Sequence, residues 1–442
     1  YKVTYDANLP SDCKIDNLPG EEYYNAFSKV KLKENLSCKG YSVTGWKIMN
    51  QSTYNVNNTF IMPAEDVLIR AIWGKNKIVK SMDGKVEEKP KAIIKKMYEY
   101  NNLGTGSNIT KIVFQNELKE PENVISSEDI STDGNGLVMK YIASNGDGTN
   151  TVYIQASGKI YANEDSSYLF YRAWRVTSIE GLENLDTSDV TNMSYMFGGC
   201  SALTAIDLSH MNTKNVTNMS SMFASTNLET IDVSSFDTSN VTNMGHMFEN
   251  CKLLKKLNLL NFNTSKVTQM HAMFTNNVSL NSLDLSSFNT SNVTRLEYMF
   301  SGCANLTNII FGNNFNTSNV KNMSYMYNGC KNLSTINLSG FDTSKVTNMN
   351  YMFYECTSLS VLNLASFNIL KVTDTKYMFA SCTNLITIYV SNLWNTSNIT
   401  SSEAMFKSDV KIKGKVPYDS TKTDVSMANY TNGYLTYKAS SN

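Results

Sequence analysis

Apolar and polar positions between residues 181 and 406 follow one pattern that returns at a regular interval. The motif T-S-x-V-T-x-M-x-x-M-F occurs nine times, with 25 to 27 residues between copies. Its Met-Phe pairs are Met196-Phe197, Met222-Phe223, Met247-Phe248, Met273-Phe274, Met299-Phe300, Met326-Tyr327, Met352-Phe353, Met378-Phe379 and Met405-Phe406. A repeat of this length indicates one structural unit per copy, and stacked units bury each other's apolar faces.

Each unit contains two apolar segments with different periods. In the segment L-x-x-[IL]-x-[LVF], Ile206 and Leu208 alternate with polar residues, which predicts a strand with one buried face. Met193, Met196 and Phe197 are spaced i, i+3, i+4, which predicts one side of a short helix. We therefore expect each coil to run strand, turn, short helix, turn, with the strands in one parallel sheet.

The repeated text LDTSDVTNMSYMFGGCSALTAIDLS resembles the BspA-like leucine-rich-repeat surface proteins of bacteria. The resemblance covers residues 181–406 and implies an α/β leucine-rich-repeat solenoid, with a parallel sheet on the concave side and short helices on the convex side. It also implies an extracellular, cell-surface location and adhesion to host or matrix proteins or glycans. Two copies depart from the pattern, at Asn368-Ile-Leu-Lys371 and Ile310-Phe-Gly312, and we expect local distortion or a special surface there.

Residues 1–75 resemble the β-grasp-like Listeria–Bacteroides repeat module of exported proteins. The matching text includes Tyr1-Lys-Val-Thr-Tyr-Asp-Ala-Asn8 and Gly40-Tyr-Ser-Val-Thr-Gly-Trp46. Short strands alternate with turns, and Trp46 and Trp73 are large enough to centre a small core.

The flanking segments complete the predicted organisation. The Lys-rich residues 76–95 have the composition of a linker. Residues 96–180 contain strand-like segments at 109–114, 136–142, 152–154 and 167–170, and we expect them to cap the first coil. Residues 407–442, ending in Tyr434-Leu-Thr-Tyr437, are the expected C-terminal cap.

The charge and composition exclude several classes of function. The chain has 442 residues, with 39 basic and 39 acidic side chains spread along it. A nucleic-acid binder or a polybasic anchor needs clustered positive charge, so neither is expected. Apolar stretches are too short to cross a membrane. The sequence begins at Tyr1 inside a predicted strand, so we expect targeting segments to have been trimmed.

Six of the eight cysteines recur three residues after the Met-Phe aromatic. Neighbouring coils are close enough for disulfides, but small buried thiols are the favoured interpretation, and the lack of C-x-x-C argues against zinc. Cys13 and Cys38 lie in the N-terminal module, where a bridge would close a 26-residue loop. Whether they are bridged stays open. His246 and His271 lie one coil apart, and a solvated surface pair without a metal is expected.

Two columns of recurring positions are candidate binding surfaces. The first lies between the buried strand residues and reads Asp207, Asp232, Asn258, Asp284, Ile310, Asn337, Asn363 and Tyr389. It should face outward, either to receive a ligand or cation or to form a hydrogen-bonded ladder along the stack. The second precedes the Met-Phe pairs and contains Tyr298, Tyr325, Tyr351 and Tyr377. It could be a binding stripe or a stacking ladder.

No recognised catalytic or cofactor-binding motif occurs in the sequence. We therefore expect a monomeric, non-enzymatic surface protein without a cofactor, which binds host or matrix proteins or glycans. The alternative is a structural stalk or envelope spacer without a specific ligand. A binder should carry a clustered surface irregularity, whereas a stalk should have uniform faces.

Overall fold

The computed structural model describes residues 1–9, 20–31, 37–38, 41–48, 59–62, 64–75, 91–96, 103, 108–132, 134 and 136–440. They belong to two compact units. The first comprises Tyr1–Lys96, Gly106–Asn163 and Ile179–Asp189, and the second comprises Met97–Thr105, Glu164–Ser178 and Val190–Asn442.

The first part of unit 1 is built from short strands, as the alternating pattern predicts. They are β1 (Lys2–Asp6), β2 (Glu22–Tyr23), β3 (Lys29–Lys31), β4 (Ser37–Cys38), β5 (Tyr41–Ile48), β6 (Thr59–Ile61) and β7 (Val67–Lys75). Five form a mixed sheet in the order β2-β1-β7-β5-β4. The hydrophobic core of this first part of unit 1 includes Val3, Val30, Val67 and Ile69. The predicted roles of the Trp46 and Trp73 side chains lie outside the described part of the chain.

The second part of unit 1 contains a sheet in the order β10-β11-β12-β9-β14. The strands are β8 (Ala92–Ile93), β9 (Ile109–Gln115), β10 (Val124–Asp129), β11 (Val138–Ser144), β12 (Asn150–Ala156), β13 (Ile160–Tyr161), β14 (Ser178–Glu180) and β15 (Leu185–Asp186). A 3₁₀ turn, Leu182–Asn184, precedes β15. Three of the four strands expected between residues 96 and 180 are confirmed. Strand β8 lies in the stretch interpreted as linker and pairs with β13.

Unit 2 is a stack of coils whose strands pair in parallel, about one repeat apart. The strands are β16 (Thr230–Ile231), β17 (Lys256–Leu257), β18 (Ser282–Leu285), β19 (Asn308–Phe311), β20 (Val361–Asn363), β21 (Thr387–Val390) and β22 (Thr436–Tyr437). Leu283 lies opposite Ile309 and Leu362 lies opposite Ile388, in the register that stacked equivalent positions require. The predicted parallel pairing is therefore confirmed in these coils.

The predicted short helices are wrong. Within the described residues the helices are single 3₁₀ turns, at Leu182–Asn184 and Val425–Met427. The segment around each Met-Phe pair is instead a run of tight turns. The i, i+3, i+4 spacing does bury Met193, Met196 and Phe197 together, but a different backbone achieves it.

Backbone hydrogen bonds explain why turns replace a helix. The N–H groups of Met193, Tyr195 and Phe197 donate to carbonyl oxygens of the next coil, at 2.9 to 3.0 Å. The N–H of Met196 donates back to the Met193 carbonyl at 3.2 Å and closes a turn. An α-helix would use all these groups within its own segment, so bonding between coils excludes it. Tyr195 adopts a left-handed φ of 56°, and so does the equivalent residue of every other coil.

A column of aromatic rings forms the centre of the stack. Phe170, Phe197, Phe223, Phe248, Phe274, Phe300, Tyr327, Phe353, Phe379 and Phe406 are fully buried. Neighbouring rings lie nearly parallel, with centroids 5.1 to 5.9 Å apart. Each such burial stabilises the fold by about 1.5–3 kcal/mol.

Phe170 reveals a coil that the repeat pattern missed. Residues 167–170 were expected to be a strand of the cap, but Tyr168 is left-handed at φ 62°. Asp165 bridges to Asn192 exactly as later coils bridge to one another. The sequence D-S-S-Y-L-F at residues 165–170 therefore corresponds to N-M-S-Y-M-F at residues 192–197, with Leu169 at the position of Met196. The coil stack thus begins before residue 181.

The threonines of the D-T-S text form a second buried column. The hydroxyl of Thr264 donates to the Asn289 carbonyl at 2.9 Å and accepts the Asn289 N–H at 2.8 Å. Equivalent bonds to the next coil come from Thr213, Thr238, Thr290, Thr317 and Thr343. This column explains why the motif carries a threonine at a core position.

The two departing copies are not distorted, so the first alternative is wrong, and a special surface there stays a prediction. Ile310 pairs in register with Asp284, and its side chain is exposed. Ile369 is fully buried at the next position of the threonine column, where an apolar side chain needs no partner. At the C-terminal end, β22 pairs with β21, and the Tyr434 ring contacts Phe406 edge-on at 5.4 Å. No helix in the described part of the chain is long and apolar enough to span a membrane.

Candidate functional site

The residue before each Met-Phe pair is turned outward by its left-handed backbone. Tyr298 has φ 61° and is 40% exposed, whereas the adjacent Met299 and Phe300 are fully buried. Every coil repeats this backbone geometry, and the larger side chains at this position form a partly exposed column on unit 2, whereas Ser221 and Ala272 are buried.

The four tyrosines of this column stack on one another. Ring centroids are 4.5 Å apart between Tyr298 and Tyr325, 4.6 Å between Tyr325 and Tyr351, and 4.8 Å between Tyr351 and Tyr377. The interplanar angles are 8° to 10°. The stacking that the sequence analysis allowed is therefore present. A role in binding stays a prediction.

The tyrosine stack ends at Tyr298 because the preceding coil has Ala272 at this position. The ring of His271, in the same coil as Ala272, packs against the bare backbone of Gly245 one coil earlier, where a Cβ atom would come within 2.6 Å of the imidazole Cε1. A groove of about 600 Å³ lies beside Ala272. It is lined by His246, Glu249, His271, Ala272, Thr275, Arg295, Glu297, Tyr298, Asn322, Ser324, Tyr325, Asn348 and Asn350.

Charged side chains in the groove are arranged in pairs. Arg295 Nε donates to Glu297 Oε1 at 2.6 Å, and a second guanidinium nitrogen contacts the same oxygen. His246 Nδ1 lies 2.8 Å from Glu249 Oε2. Asn350 Nδ2 donates to Asp374 Oδ2 at 2.9 Å. These bonds fix the orientations of the polar groups.

Three buried polar atoms of the lining residues have no hydrogen-bond partner within the described chain. They are Glu297 Oε2, Asn350 Oδ1 and His271 Nδ1. Glu297 is only 5% exposed. An unsatisfied buried acceptor costs about 1–3 kcal/mol, so such a cluster is uncommon in a purely structural surface.

His271 differs from the solvated histidine that the sequence analysis expected. Burial, followed by the nearby Arg295 and His246 charges, lowers its pKa from 6.5 to about 4. The two imidazoles meet edge-to-face with centroids 4.7 Å apart. The imidazole of His271 is therefore neutral at physiological pH. The described residues contain no group of three His, Cys, Asp or Glu side chains able to hold a metal ion.

The six repeat cysteines are buried free thiols, as favoured from the sequence. Each thiol donates to the carbonyl of the Met-Phe aromatic one coil earlier, as Cys303 does to Phe274 at 3.0 Å. Burial raises the pKa of Cys200 and of Cys303 to about 12, so these thiols are poor nucleophiles. The bridge considered between Cys13 and Cys38 lies outside the described residues.

The Asp/Asn column faces outward but does not form the ladder considered above. Asp207 Oδ1 accepts the Ser209 N–H two residues on, at 2.9 Å, within its own coil. The same local turn occurs at Asp232, Asn258, Asp284, Asn337 and Asn363. The Ser209 hydrogen bonds lower the pKa of Asp207. This column shapes turns, and ligand binding by it or by Tyr389 stays a prediction.

Arg295, Glu297 and Asn350 were not predicted as site residues from the sequence. Glu297 stands in a column that reads Ser194, Ser220, Gly245, His271, Glu297, Ser324, Asn350, Lys376 and Glu403. Arg295 stands in a column that is mostly Asn. The change from Asn to Arg295 was visible in the sequence, but the groove is lined by side chains from five successive coils.

Stacked coils with a paired-strand side and a turn side define unit 2 as a repeat protein. The model of the family described as "Mycoplasma protein of unknown function, DUF285" matches residues 164–258, 225–312 and 304–418. These ranges cover more than half of the chain, and the chain belongs to this family. The recognition of a bacterial repeat family is thus confirmed, and the match begins at residue 164, within the coil that contains Phe170.

Two solved structures are similar to this chain. A leucine-rich repeat protein from Bacteroides ovatus has 17% identity and a TM-score of 0.36, covering 59% of this chain and 67% of its own. One from Eubacterium ventriosum has 16% identity and a TM-score of 0.23, covering 62% and 95%. No curated protein matches the sequence. The resemblance suggested for residues 1–75 stays a prediction.

Proposed function

We propose that this chain is a non-enzymatic bacterial surface protein that acts as an adhesin and binds its ligand in the groove beside Tyr298. The observation that carries the proposal is a clustered irregularity on an otherwise repetitive surface. Arg295 replaces the Asn that is usual in its column, Ala272 interrupts the tyrosine column, and both lie beside His271 and Glu297 in two neighbouring coils. A stalk needs only the repeating contacts, whereas this cluster costs stability through its unpartnered polar atoms.

The chemistry of the groove favours binding over catalysis. Its groups can stack against a ligand and accept or donate hydrogen bonds, and the charge of Arg295 is already paired with that of Glu297. The volume of about 600 Å³ falls within the ~300–1,000 Å³ usual for small-ligand sites. A side chain or a single unit of a larger ligand would fit it.

The test measures binding of the purified chain to fixed epithelial cells and to a basement-membrane extract. Tyr298→Ala should weaken this binding at least about tenfold, since an aromatic contact contributes roughly 0.5–1.5 kcal/mol beyond its buried area. The matched control is Tyr377→Ala, which removes the same side chain from the same column but outside the groove.

Thermal unfolding of both variants shows whether the stack survives each substitution. Equal binding by the wild type, Tyr298→Ala and Tyr377→Ala would overturn the groove as the binding site. Absence of binding to either surface by the wild-type chain would favour the spacer alternative.

A further inference from the structure

The position three residues after the Met-Phe aromatic supplies a hydrogen-bond donor to the preceding coil wherever it carries a cysteine. The donor is the thiol, the acceptor is the carbonyl oxygen of the aromatic residue one coil earlier, and the Sγ to O distances are 2.9 to 3.2 Å. The six thiols of this cysteine column belong to Cys200, Cys251, Cys303, Cys330, Cys356 and Cys382. Each of these carbonyl oxygens thus receives a buried donor from the coil that follows.

Asp409 stands at the same position after Phe406, in the last coil. Its side chain is fully buried, and its Oδ1 accepts the Cys382 N–H at 2.8 Å. Its Oδ2 is buried and has no partner within the described residues. By the register of the column, the carbonyl oxygen offered to Asp409 is that of Phe379, as the Phe353 carbonyl is offered to Cys382. An ionised carboxylate has no hydrogen to donate there, whereas a carboxylic acid has one.

The surroundings of Asp409 supply no charge that would balance a carboxylate. The cations nearest to it in sequence, Lys407 and Lys411, are exposed, and Lys411 donates to Asn384 Oδ1. The titratable group that the preceding coil places beside Asp409 is the buried thiol of Cys382, whose own pKa is raised well above its ordinary value. No charged side chain in the described part of the chain contributes to the pKa of Asp409. A carboxylate in such a site is strongly disfavoured relative to the neutral acid.

The C-terminal cap, residues 407–442, is attached to the last coils by a small number of contacts. The Phe406 N–H donates to the Thr423 carbonyl at 2.9 Å, and Trp394 Nε1 donates to the Ala428 carbonyl at 3.0 Å. The ring of Tyr434 packs on Phe406, and its hydroxyl donates within the cap to backbone carbonyl oxygens. The other titratable side chains of the cap are exposed or half-buried, namely Lys413, Lys415, Tyr418, Asp419, Lys422, Asp424, Tyr430, Tyr437 and Lys438. Because Asp409 lies in the first turn of the cap, its bond to the preceding coil is one of these attachments.

We propose that Asp409 is a proton-dependent clasp, in which the neutral carboxyl donates from Oδ2 to the Phe379 carbonyl oxygen and holds the C-terminal cap on the last coils. When the carboxyl ionises, its proton passes to water, the O–H···O bond is lost, and the cap opens. Asp409 thereby replaces the cysteine thiol with a donor that can be switched off. None of the residues that line the groove takes part, so the inference is independent of the proposed function.

The direction of the pH dependence follows from the burial of this carboxyl. Burial raises the pKa of Asp409 from 3.8 to about 8 in the closed cap, and opening returns the carboxyl to water. Between these two values the open form ionises first, so the equilibrium constant for opening should rise about tenfold per pH unit and level off above about pH 8. The cap is therefore held most tightly in acid.

Hydrogen–deuterium exchange of the full chain, followed by mass spectrometry, measures this opening segment by segment. After correction for the intrinsic pH dependence of exchange, protection of residues 402–412 and 425–437 should fall about a hundredfold between about pH 5.5 and about pH 7.5. Residues 267–300, in the middle of the stack, should change much less. Asp409→Asn cannot ionise and keeps both an acceptor and a donor, so its cap should stay equally protected at both pH values. Asp419→Asn, at a half-buried carboxylate of the cap, is the matched control and should behave as wild type.

Two results would overturn the clasp. One is cap protection in the wild type that does not change with pH, and the other is an equal loss along the whole stack, which would indicate global destabilisation without a local opening. Asp409→Cys restores the residue of six other coils and should match Asp409→Asn, so it gives the same comparison if the Asn variant folds poorly.

Infrared difference spectroscopy tests the protonation state itself. At about pH 6.5 the spectrum of wild type minus Asp409→Asn should contain the C=O stretching band of a protonated carboxyl group, because solvated carboxyl groups are ionised at this pH. A difference spectrum that contains carboxylate bands alone would overturn the inference.

Discussion

Asp409 is a buried carboxylic acid whose substitution should change the pH dependence of stability strongly. It occupies the cysteine column in the last coil and is fully buried. Its Oδ1 accepts the Cys382 N–H at 2.8 Å, while Oδ2 has no partner within the described residues. Burial raises the pKa of Asp409 from 3.8 to about 8, against the smaller opposing effect of the Cys382 hydrogen bond.

The sign of the effect follows from the two pKa values. Below pH 3.8 the carboxyl is protonated in both the folded and the unfolded chain, and it contributes no pH dependence. Between pH 3.8 and about 8 the unfolded chain ionises first, so the folded chain loses stability as pH rises. The loss is about 1.4 kcal/mol per pH unit, or about 3 kcal/mol over two units. Above pH 8 the penalty is constant.

Asp409→Asn removes this ionisation and retains an oxygen that can accept the Cys382 N–H. Its advantage in unfolding free energy over the wild type should therefore grow by about 3 kcal/mol between about pH 5.5 and pH 7.5. Urea unfolding followed by tryptophan fluorescence measures this difference. Asp419→Asn is the matched control, because the pKa of exposed Asp419 is lowered by hydrogen bonds from Thr421. Parallel pH profiles of wild type and Asp409→Asn would refute the reasoning.

Three further substitutions test the packing. Thr264→Val should lower the free energy of unfolding in urea by about 1–3 kcal/mol, because it leaves buried backbone groups unpaired. The control Thr268→Val, at an exposed threonine, should change the free energy of unfolding by less than about 0.5 kcal/mol. Phe274→Ala should lower the free energy of unfolding by about 3–5 kcal/mol, because it interrupts the column of stacked rings. A smaller loss would show that the neighbouring rings move together and fill the cavity. Gly245→Ala should displace the imidazole of His271 and raise its pKa from about 4 towards 6.5 in an NMR titration; an unchanged value would mean that the ring is not held there.

Much of the coil stack could be predicted from spacing alone. The 25 to 27 residue period, the buried Met-Phe pairs and the parallel pairing of the L-x-x-[IL]-x-[LVF] segments depend on contacts that recur in every unit. A contact that is predicted correctly for one coil is therefore predicted for the other coils of the repeat as well. The coil at Phe170 was missed because Ser166 and Leu169 stand at the two positions where the next coil has Met193 and Met196.

The backbone of the Met-Phe segment could not be predicted in the same way. A spacing of i, i+3, i+4 buries the same three side chains in a helix and in a run of turns. Hydrogen bonds between coils decide between them, because Met193, Tyr195 and Phe197 donate to the neighbouring coil. Such bonds depend on the distance between coils, which is not encoded in the pattern of one unit.

Residue order along the chain was sufficient to identify the repeat, its outward columns and the breaks in them. Three-dimensional packing was needed to establish that Glu297, Asn350 and His271 line one groove with Tyr298. It was also needed to establish that polar atoms there lack partners. The physical reason is that a repeat period specifies which side of the coil a residue occupies. Burial and hydrogen-bond satisfaction depend on which side chains the neighbouring coils place beside it.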